Sequence, residues 1–181
     1  MNTGQLLLVV GALALLSTLA LSINSTILNA YVVSYDSEAT IDAISIGQTM
    51  VDEIMKMSFD SITVTSKTIT DPSQCTPAAR LGVDLDSEKT VPAYETAPFT
   101  SDSLFNDVDD YNHYSRIVST PHLGNFTVTD TVFYVTDGSL NTPSATQTWF
   151  KKVIVTVKHP NLYTPVVVKS LVVFRKHFAG F

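Results

Sequence analysis

The chain has 181 residues, of which 45% are hydrophobic and only 15% are charged. Because about a quarter of the residues of an ordinary soluble domain are charged, we expect apolar surface to be buried outside the core of a single folded domain. A net charge of -6, with only 11 Lys and Arg, argues against a nucleic-acid partner, since phosphate binding needs a basic face. The single Cys75 excludes an intramolecular disulfide and a cysteine-based zinc site.

The first feature along the chain is an apolar segment, from Leu6 to Ile23, in which only Ser17, Thr18 and Ser22 are polar. As a helix it would extend about 27 Å, most of the thickness of a bilayer core. The first charged side chain is Asp36, so the uncharged helix would be about 50 Å long, which exceeds the roughly 30 Å that a membrane anchor needs. A plain single-pass anchor remains the alternative to burial in an assembly.

The helical pattern continues without a proline to about Phe59, and we predict one helix over residues 1 to about 58. Its second half is amphipathic, with charged residues opposite an apolar stripe that we expect to face the rest of the protein. This stripe comprises Ile41, Ile44, Val51, Ile54 and Met55. Gly11 and Gly47 have low helix propensity and mark places where the helix could bend.

After the helix the periodicity changes to two. The alternation of SITVTSKTIT, residues 61 to 70, predicts a strand, whereas residues 71 to 112 read as a long loop region. Three further runs predict strands within residues 125 to 138, 147 to 160 and 163 to 176, with Tyr134, Trp149, Phe150 and Phe174 in the sheet core. Their connections are too short for crossover helices, so antiparallel pairing is expected.

The predicted fold class is therefore α+β, a long N-terminal α-helix with a hydrophobic first half, packed on a C-terminal antiparallel β-sheet. We divide the chain into an N-terminal helix of residues 1 to 58, whose residues 1 to 23 are hydrophobic, and a β-sheet head domain of residues 59 to 181. No hydrolase, metalloprotease, phosphate-binding or dinucleotide motif is present in the sequence, and we do not expect an enzyme.

An acidic cluster in the long loop is the most distinctive polar feature. Carboxylate and amide oxygens at this spacing suit calcium, although the residues do not match an EF-hand loop. The alternative is a solvated turn capped by aspartates. The candidate calcium ligands are Asp107, Asp109, Asp110 and Asn112. No other cofactor is expected. Asn24 and Asn125 begin glycosylation sequons, and Asn125 is the better candidate because Asn24 lies within the predicted helix.

A hydrophobic helix that becomes amphipathic and packs on an antiparallel sheet resembles the type IV pilin and type II secretion pseudopilin superfamily. The segments TMVDEIMKMSFDSI and FNDVDDYNHY resemble minor-pilin-like proteins of the mannose-sensitive haemagglutinin type. The resemblance implies that a prepilin peptidase removes a basic leader and that Met1 is the processed, methylated terminus; Met1 could instead be an initiator. Family members usually carry a glutamate at the position of Gln5, and this chain lacks their common cysteine pair.

The resemblance further implies a structural subunit of an extracellular filament that polymerises with itself through the apolar helix. The membrane before assembly, the pilus assembly machinery and the prepilin peptidase are the other expected partners. The alternatives are a membrane-tethered extracytoplasmic β-domain, or a pseudopilin, acting in adhesion or secretion. The residues expected in the filament core are Met1, Gln5, Leu6, Leu7, Val10, Gly11, Leu13, Ala14, Leu16, Ser17 and Ala20.

Overall fold

The computed structural model describes residues 2–64 and 69–174. Its largest element is helix α1, Thr3–Ile54, which has 52 residues and a length of about 78 Å. The predicted single helix is thus confirmed, although it ends a turn earlier than expected. The chain leaves the helix through turns at Met55 and Met57, and residue Ser58 pairs with Asp107 in an isolated parallel bridge.

The head is a five-stranded sheet whose spatial order follows the chain order. The strands are β1 (Glu95–Thr96), β2 (Ser115–Thr120), β3 (Gly124–Tyr134), β4 (Phe150–Lys158) and β5 (Val166–Val173). Strands β2 to β5 are antiparallel neighbours, which confirms the three predicted C-terminal strands as β3, β4 and β5. The short strand β1 pairs in parallel with β2, so the sheet as a whole is mixed rather than purely antiparallel.

The C-terminal half of α1 packs on the sheet, chiefly on β4 and β5. Its buried face is Ala39, Ala43, Gly47, Met50 and Ile54, at the four- and three-residue spacing of one helix face. The predicted stripe was therefore largely wrong. Ile41 and Ile44 are 66% and 43% exposed, Met55 is exposed too, Val51 is half-buried, and only Ile54 lies in the core.

The first three residues of the buried face are small, and at Gly47 valines of the sheet fill the space beside the helix. A Cβ atom built on Gly47 would lie 2.8 Å from Cγ2 of Val168 and 3.4 Å from Cγ2 of Val157. Neither Gly47 nor Gly11 interrupts the helix. Gly47 instead allows the helix backbone to approach the sheet closely.

The segment after the helix departs from the predicted strand. Ser61–Val64 forms a one-turn helix, α2, because Asp60 accepts hydrogen bonds from the backbone of Ile62 and Thr63 and so begins a turn. The rest of that prediction falls partly on residues 65 to 68, outside the described residues. The predicted loop of residues 71 to 112 is confirmed, with helix α3 at Ser101–Leu104, strand β1 and four 3₁₀ turns as its regular parts.

The core lies between α1, the sheet and this loop. Of the four aromatic residues predicted there, Tyr134 is fully buried. Trp149 stacks on Phe174 with ring centroids 5.0 Å apart, and both pack against the buried cluster as partly buried residues. Phe150 is half-buried. The sheet therefore presents its inner face to the helix and the aromatic residues close one end of the core.

The substitution Gly47→Leu should destabilise the head by about 1–3 kcal/mol, because the added side chain would meet Val168 and the helix would have to move away from the sheet. Thermal unfolding of the full chain in detergent measures the effect. Gly138→Ala is the control, since a Cβ atom there would meet nothing within 4 Å. Equal melting temperatures for Gly47→Leu and the native chain would contradict the close approach.

Candidate functional site

The largest candidate site is the exposed surface of α1, which we call the apolar helix surface and define as residues 2 to 44. Residues 2 to 37 are all exposed. An 18-residue window of α1 has a mean hydropathy of 2.6 with none of its residues buried, which makes the helix long and apolar enough to cross a membrane. The chain's own head covers none of this window.

The apolar helix surface continues beyond the segment that a bilayer would cover. Past Ile23 it exposes a second series of large apolar side chains, at 43% to 67% of their area. These residues are Ile27, Leu28, Tyr31, Val32, Val33, Tyr35, Ile41 and Ile44. From Leu6 to Tyr35 the exposed series contains no charged residue and extends about 44 Å, beyond the roughly 30 Å hydrocarbon core. Ile41 and Ile44 continue it on the part of the helix where charged residues begin.

The hydroxyl groups along this surface are already hydrogen-bonded to the helix backbone. Ser17 Oγ donates to Leu13 O at 2.8 Å, and Thr18 Oγ1 donates to Leu15 O at 2.9 Å. Thr26 likewise donates to Ser22 O at 2.9 Å. Such internal bonds let a hydroxyl enter an apolar environment without an unpartnered donor.

The predicted filament-core residues from Gln5 to Ala20 all lie on this exposed part of α1. A Cβ atom on Gly11 would meet nothing within 4 Å, so the helix is narrow there and the space beside it is open. Gln5 is exposed. Met1 lies outside the described residues.

The acidic loop is not the solvated turn that we considered. Asp107, Asp109 and Asp110 are at most 2% exposed. The oxygen Oδ1 of Asp107 accepts the backbone N–H of Asp109 at 2.8 Å, at the start of the 3₁₀ turn Asp109–Tyr111. Asn112 is occupied as well: its Oδ1 accepts the N–H of Val132 at 3.0 Å and its Nδ2 donates to Leu81 O at 3.0 Å. The four predicted calcium ligands thus serve mainly to fold the loop.

Lys151 connects this loop to the segment that follows α1. Its side chain is fully buried, and Nζ donates to Asp109 Oδ1 at 2.5 Å and to Asp60 Oδ2 at 3.4 Å. Nζ also donates to Phe59 O at 2.5 Å and lies 4.6 Å from the centre of the Phe59 ring. We call Lys151, Asp60 and Asp109 the lysine network. It is a buried ion cluster in which one ammonium group is shared by two carboxylates.

A different acidic group lies on the other side of the loop. Among the residues that the structure describes, one set of three acidic side chains has carboxylate oxygens all within 4.8 Å of one another: Asp84, Glu88 and Asp110. Glu88 and Asp110 are buried and Asp84 is exposed. Burial, with the negative charge of Glu88 nearby, raises the pKa of Asp110 to about 7, and burial also raises that of Glu88.

A second set of charges lies where β2 and β3 face the helix. Arg116 donates to Glu53 Oε1 at 3.1 Å and to Oε2 at 2.8 Å, a bidentate ion pair that joins the sheet to α1. Tyr111 donates to Glu53 Oε1 at 3.0 Å. Asp130 is 2% exposed and both its carboxylate oxygens lack a hydrogen-bond partner. Burial raises the pKa of Asp130 to about 8, Arg116 opposes this rise, and Glu53 adds to it.

The remaining candidates from the sequence are separate from these clusters. Asn125 is exposed at the start of β3, and Asn24 is exposed on α1. His113, His122 and His159 form no metal group with one another among the described residues. His159 stacks on Phe126 with ring centroids 4.2 Å apart.

Sequence reasoning missed Lys151, Asp130 and Glu88. For the first two a signal was present. Lys151 has the same strand phase as Val153, Val155 and Val157, and Asp130 has the same phase as Val128 and Val132, so each charged residue points to the buried face of its strand. Glu88 lies in an irregular loop without periodicity, and its burial depends on contacts distant in sequence.

Lys151→Met should destabilise the chain by about 3–5 kcal/mol, because it removes the cation and leaves two buried carboxylates unpaired. Chemical denaturation of the full chain in detergent provides the measurement. Lys152→Met is the matched control, because the neighbouring Lys152 donates from Nζ to Asn141 Oδ1 at 3.3 Å in an exposed contact. Equal losses of unfolding free energy in both variants would show that the lysine network makes no specific contribution to stability.

Asp130 predicts a pH dependence of stability. In the unfolded chain a carboxyl pKa is about 3.9, whereas in the folded chain that of Asp130 is about 8, so between these values the folded state binds the extra proton. The contribution of Asp130 to the free energy of unfolding therefore falls as pH rises through this window. The melting temperature of Asp130→Asn, measured against that of the native chain, should therefore rise as pH increases towards 8. A difference in melting temperature that stays constant with pH would refute this.

Comparison of the chain with protein-family models, with characterised proteins and with solved structures finds no match. The functional argument therefore rests on the apolar helix surface and on the charge clusters of the head.

Proposed function

We propose that this protein is a structural subunit of an extracellular type IV pilus-like filament, which polymerises with copies of itself through the apolar helix surface. The observation that carries the proposal is the length of that surface. Exposed apolar side chains continue from Leu6 to Ile44, far past the end of a bilayer-length segment. Lipid can cover the first part, and other protein has to cover the rest.

Packing of α1 against other copies of α1 supplies that cover. Lipid tails and packed helices are similarly apolar, so a subunit can move from membrane to filament without a large change in solvation. Gly11, Ala14, Ser17 and Ala20 are small residues that permit close approach of helices. A head-to-tail contact that does not close on itself produces an open helical polymer.

Gln5 fits this packed environment as a neutral group. A glutamate at this position would carry a charge into apolar surroundings, at a cost of about 3 kcal/mol near a bilayer centre. An amide avoids that cost and can still accept a hydrogen bond from the N-terminal amine of a neighbouring subunit. Registration between subunits would then depend on a hydrogen bond instead of an ion pair.

The head is the displayed part of the proposed filament. It packs on the last 16 residues of α1, Ala39–Ile54. The loop between β4 and β5 also lines an open depression with Val32, Tyr35 and Asp36, whose side chains remain exposed. The prepilin peptidase and the pilus assembly machinery are the proposed processing partners, the cytoplasmic membrane is the location before assembly, and no enzymatic activity or nucleic-acid binding is proposed. The notable alternative is a membrane-tethered head or a pseudopilin, favoured by the bilayer-length apolar window of α1.

Val33→Lys tests assembly separately from membrane insertion. Val33 is 64% exposed and lies ten residues beyond Ile23, so a lysine there can remain outside the lipid. We expect the variant to stay in the membrane fraction with a folded head, and to yield no sheared filaments in electron micrographs, because an unpaired charge between packed helices costs several kcal/mol.

Leu140→Lys is the control, since Leu140 is an exposed apolar residue of the head, at 40%. This variant should form filaments as the native chain does. A normal filament yield from Val33→Lys, or a native chain found only in detergent-extracted membranes, would contradict polymerisation and favour the tethered head.

A further inference from the structure

We propose that Asp84, Glu88 and Asp110, together with the side-chain oxygen of Asn106, form a calcium-binding site in the head. The site differs from the one expected from the sequence, with which it shares only Asp110. It is independent of filament formation, since all four residues belong to one chain and none lies on α1.

The loop geometry brings three carboxylates to one point. Glu88 Oε2 accepts the backbone N–H groups of Asp84 at 3.2 Å and Leu85 at 2.7 Å, which fixes its carboxylate beside Asp84. Asn106 links the other two acids: its backbone N–H donates to Asp110 Oδ2 at 2.8 Å, and its Nδ2 donates to Glu88 Oε1. A carboxylate oxygen from each acid lies within 4.8 Å of the other two.

Two buried oxygens at this point have no partner. Asp110 is 2% exposed, and its Oδ1 accepts no hydrogen bond while its Oδ2 accepts two. Oδ1 of Asn106 is also buried and unpartnered, on the same amide that contacts Glu88. Buried acceptors are normally satisfied, and a carboxylate oxygen beside two other acids needs a cation or a donor. Lys89 pairs instead with Asp86, at 3.0 Å.

The donor set selects the kind of ion. Three carboxylates and an amide oxygen are hard ligands, and the set contains no sulfur or imidazole, which disfavours zinc and copper. Calcium accepts six to eight oxygens in irregular geometry, whereas magnesium requires a compact octahedron. Asp84 and Asn106 line a surface depression with Leu85 and Ser61, so an ion and its remaining waters can enter from solvent.

The test measures calcium binding by the full-length chain in detergent micelles. Equilibrium dialysis with radioactive calcium should give one ion per chain. The melting temperature should rise by roughly 5 to 10 °C at a calcium concentration a hundred times the dissociation constant, and should return to the starting value with a chelator. Magnesium at the same concentration should give a smaller rise.

Two variants and a control assign the ion to these residues. Asp84→Asn changes an exposed residue and should weaken calcium binding at least tenfold with little change in the stability of the calcium-free chain. Asp110→Asn should lose the calcium-dependent rise while melting, in chelator, no lower than the native chain, because the amide oxygen can keep the two backbone hydrogen bonds of Oδ2 while the unpartnered Oδ1 is removed. Asp86→Asn, in the same loop and fully exposed, should bind calcium as the native chain does.

Three results would overturn the proposal. They are the absence of stoichiometric calcium binding, equal binding by Asp84→Asn and the native chain, and magnesium binding as tight as calcium binding. None of them bears on filament formation, which the electron micrographs of the Val33→Lys and Leu140→Lys variants test separately.

Discussion

The dominant physical constraint on this protein is that the two ends of one helix lie in different environments. Over Ala39–Ile54 the head covers one face of α1, where Gly47 and two alanines let the sheet approach closely. Over residues 2 to 37 every residue is exposed. Water is a poor solvent for that surface, and lipid accounts for only about half of its length. The proposed assembly rests on the part of the apolar helix surface that extends beyond the lipid.

The head depends on charges that are buried and mostly paired. Lys151 binds the acidic loop to Asp60, just after α1, and Arg116 binds the sheet to Glu53 in the last turn of the helix. Both contacts fix the orientation of the helix relative to the head. Buried ion pairs contribute little net stability but make alternative packings costly, because each would leave a charge unpaired. Such a joint suits a subunit whose head must hold a defined position on a long helix.

Periodicity predicted the elements well where local pattern decides the structure, as in the single helix and strands β3 to β5. It failed where distant contacts decide. The alternation of residues 61 to 64 suggested a strand, but Asp60, which Thr76 and Lys151 also contact, begins a helical turn there. The stripe containing Ile41 faces outward because the helix packs on the valine-rich sheet through the face of Ala39, Ala43 and Gly47. The acidic group of the candidate calcium site unites segments that are over 20 residues apart, which no local pattern could reveal.

The central claim is that protein covers the apolar helix surface beyond the bilayer, and the thiol accessibility of Val32→Cys tests it directly. The native Cys75 is 3% exposed and burial raises its thiol pKa to about 11, so it contributes little labelling. With a bulky, membrane-impermeant maleimide, the account predicts protection of the new cysteine in sheared surface material and full labelling after detergent dispersal. Equal labelling before and after dispersal would mean that this part of α1 faces water, and would contradict the account.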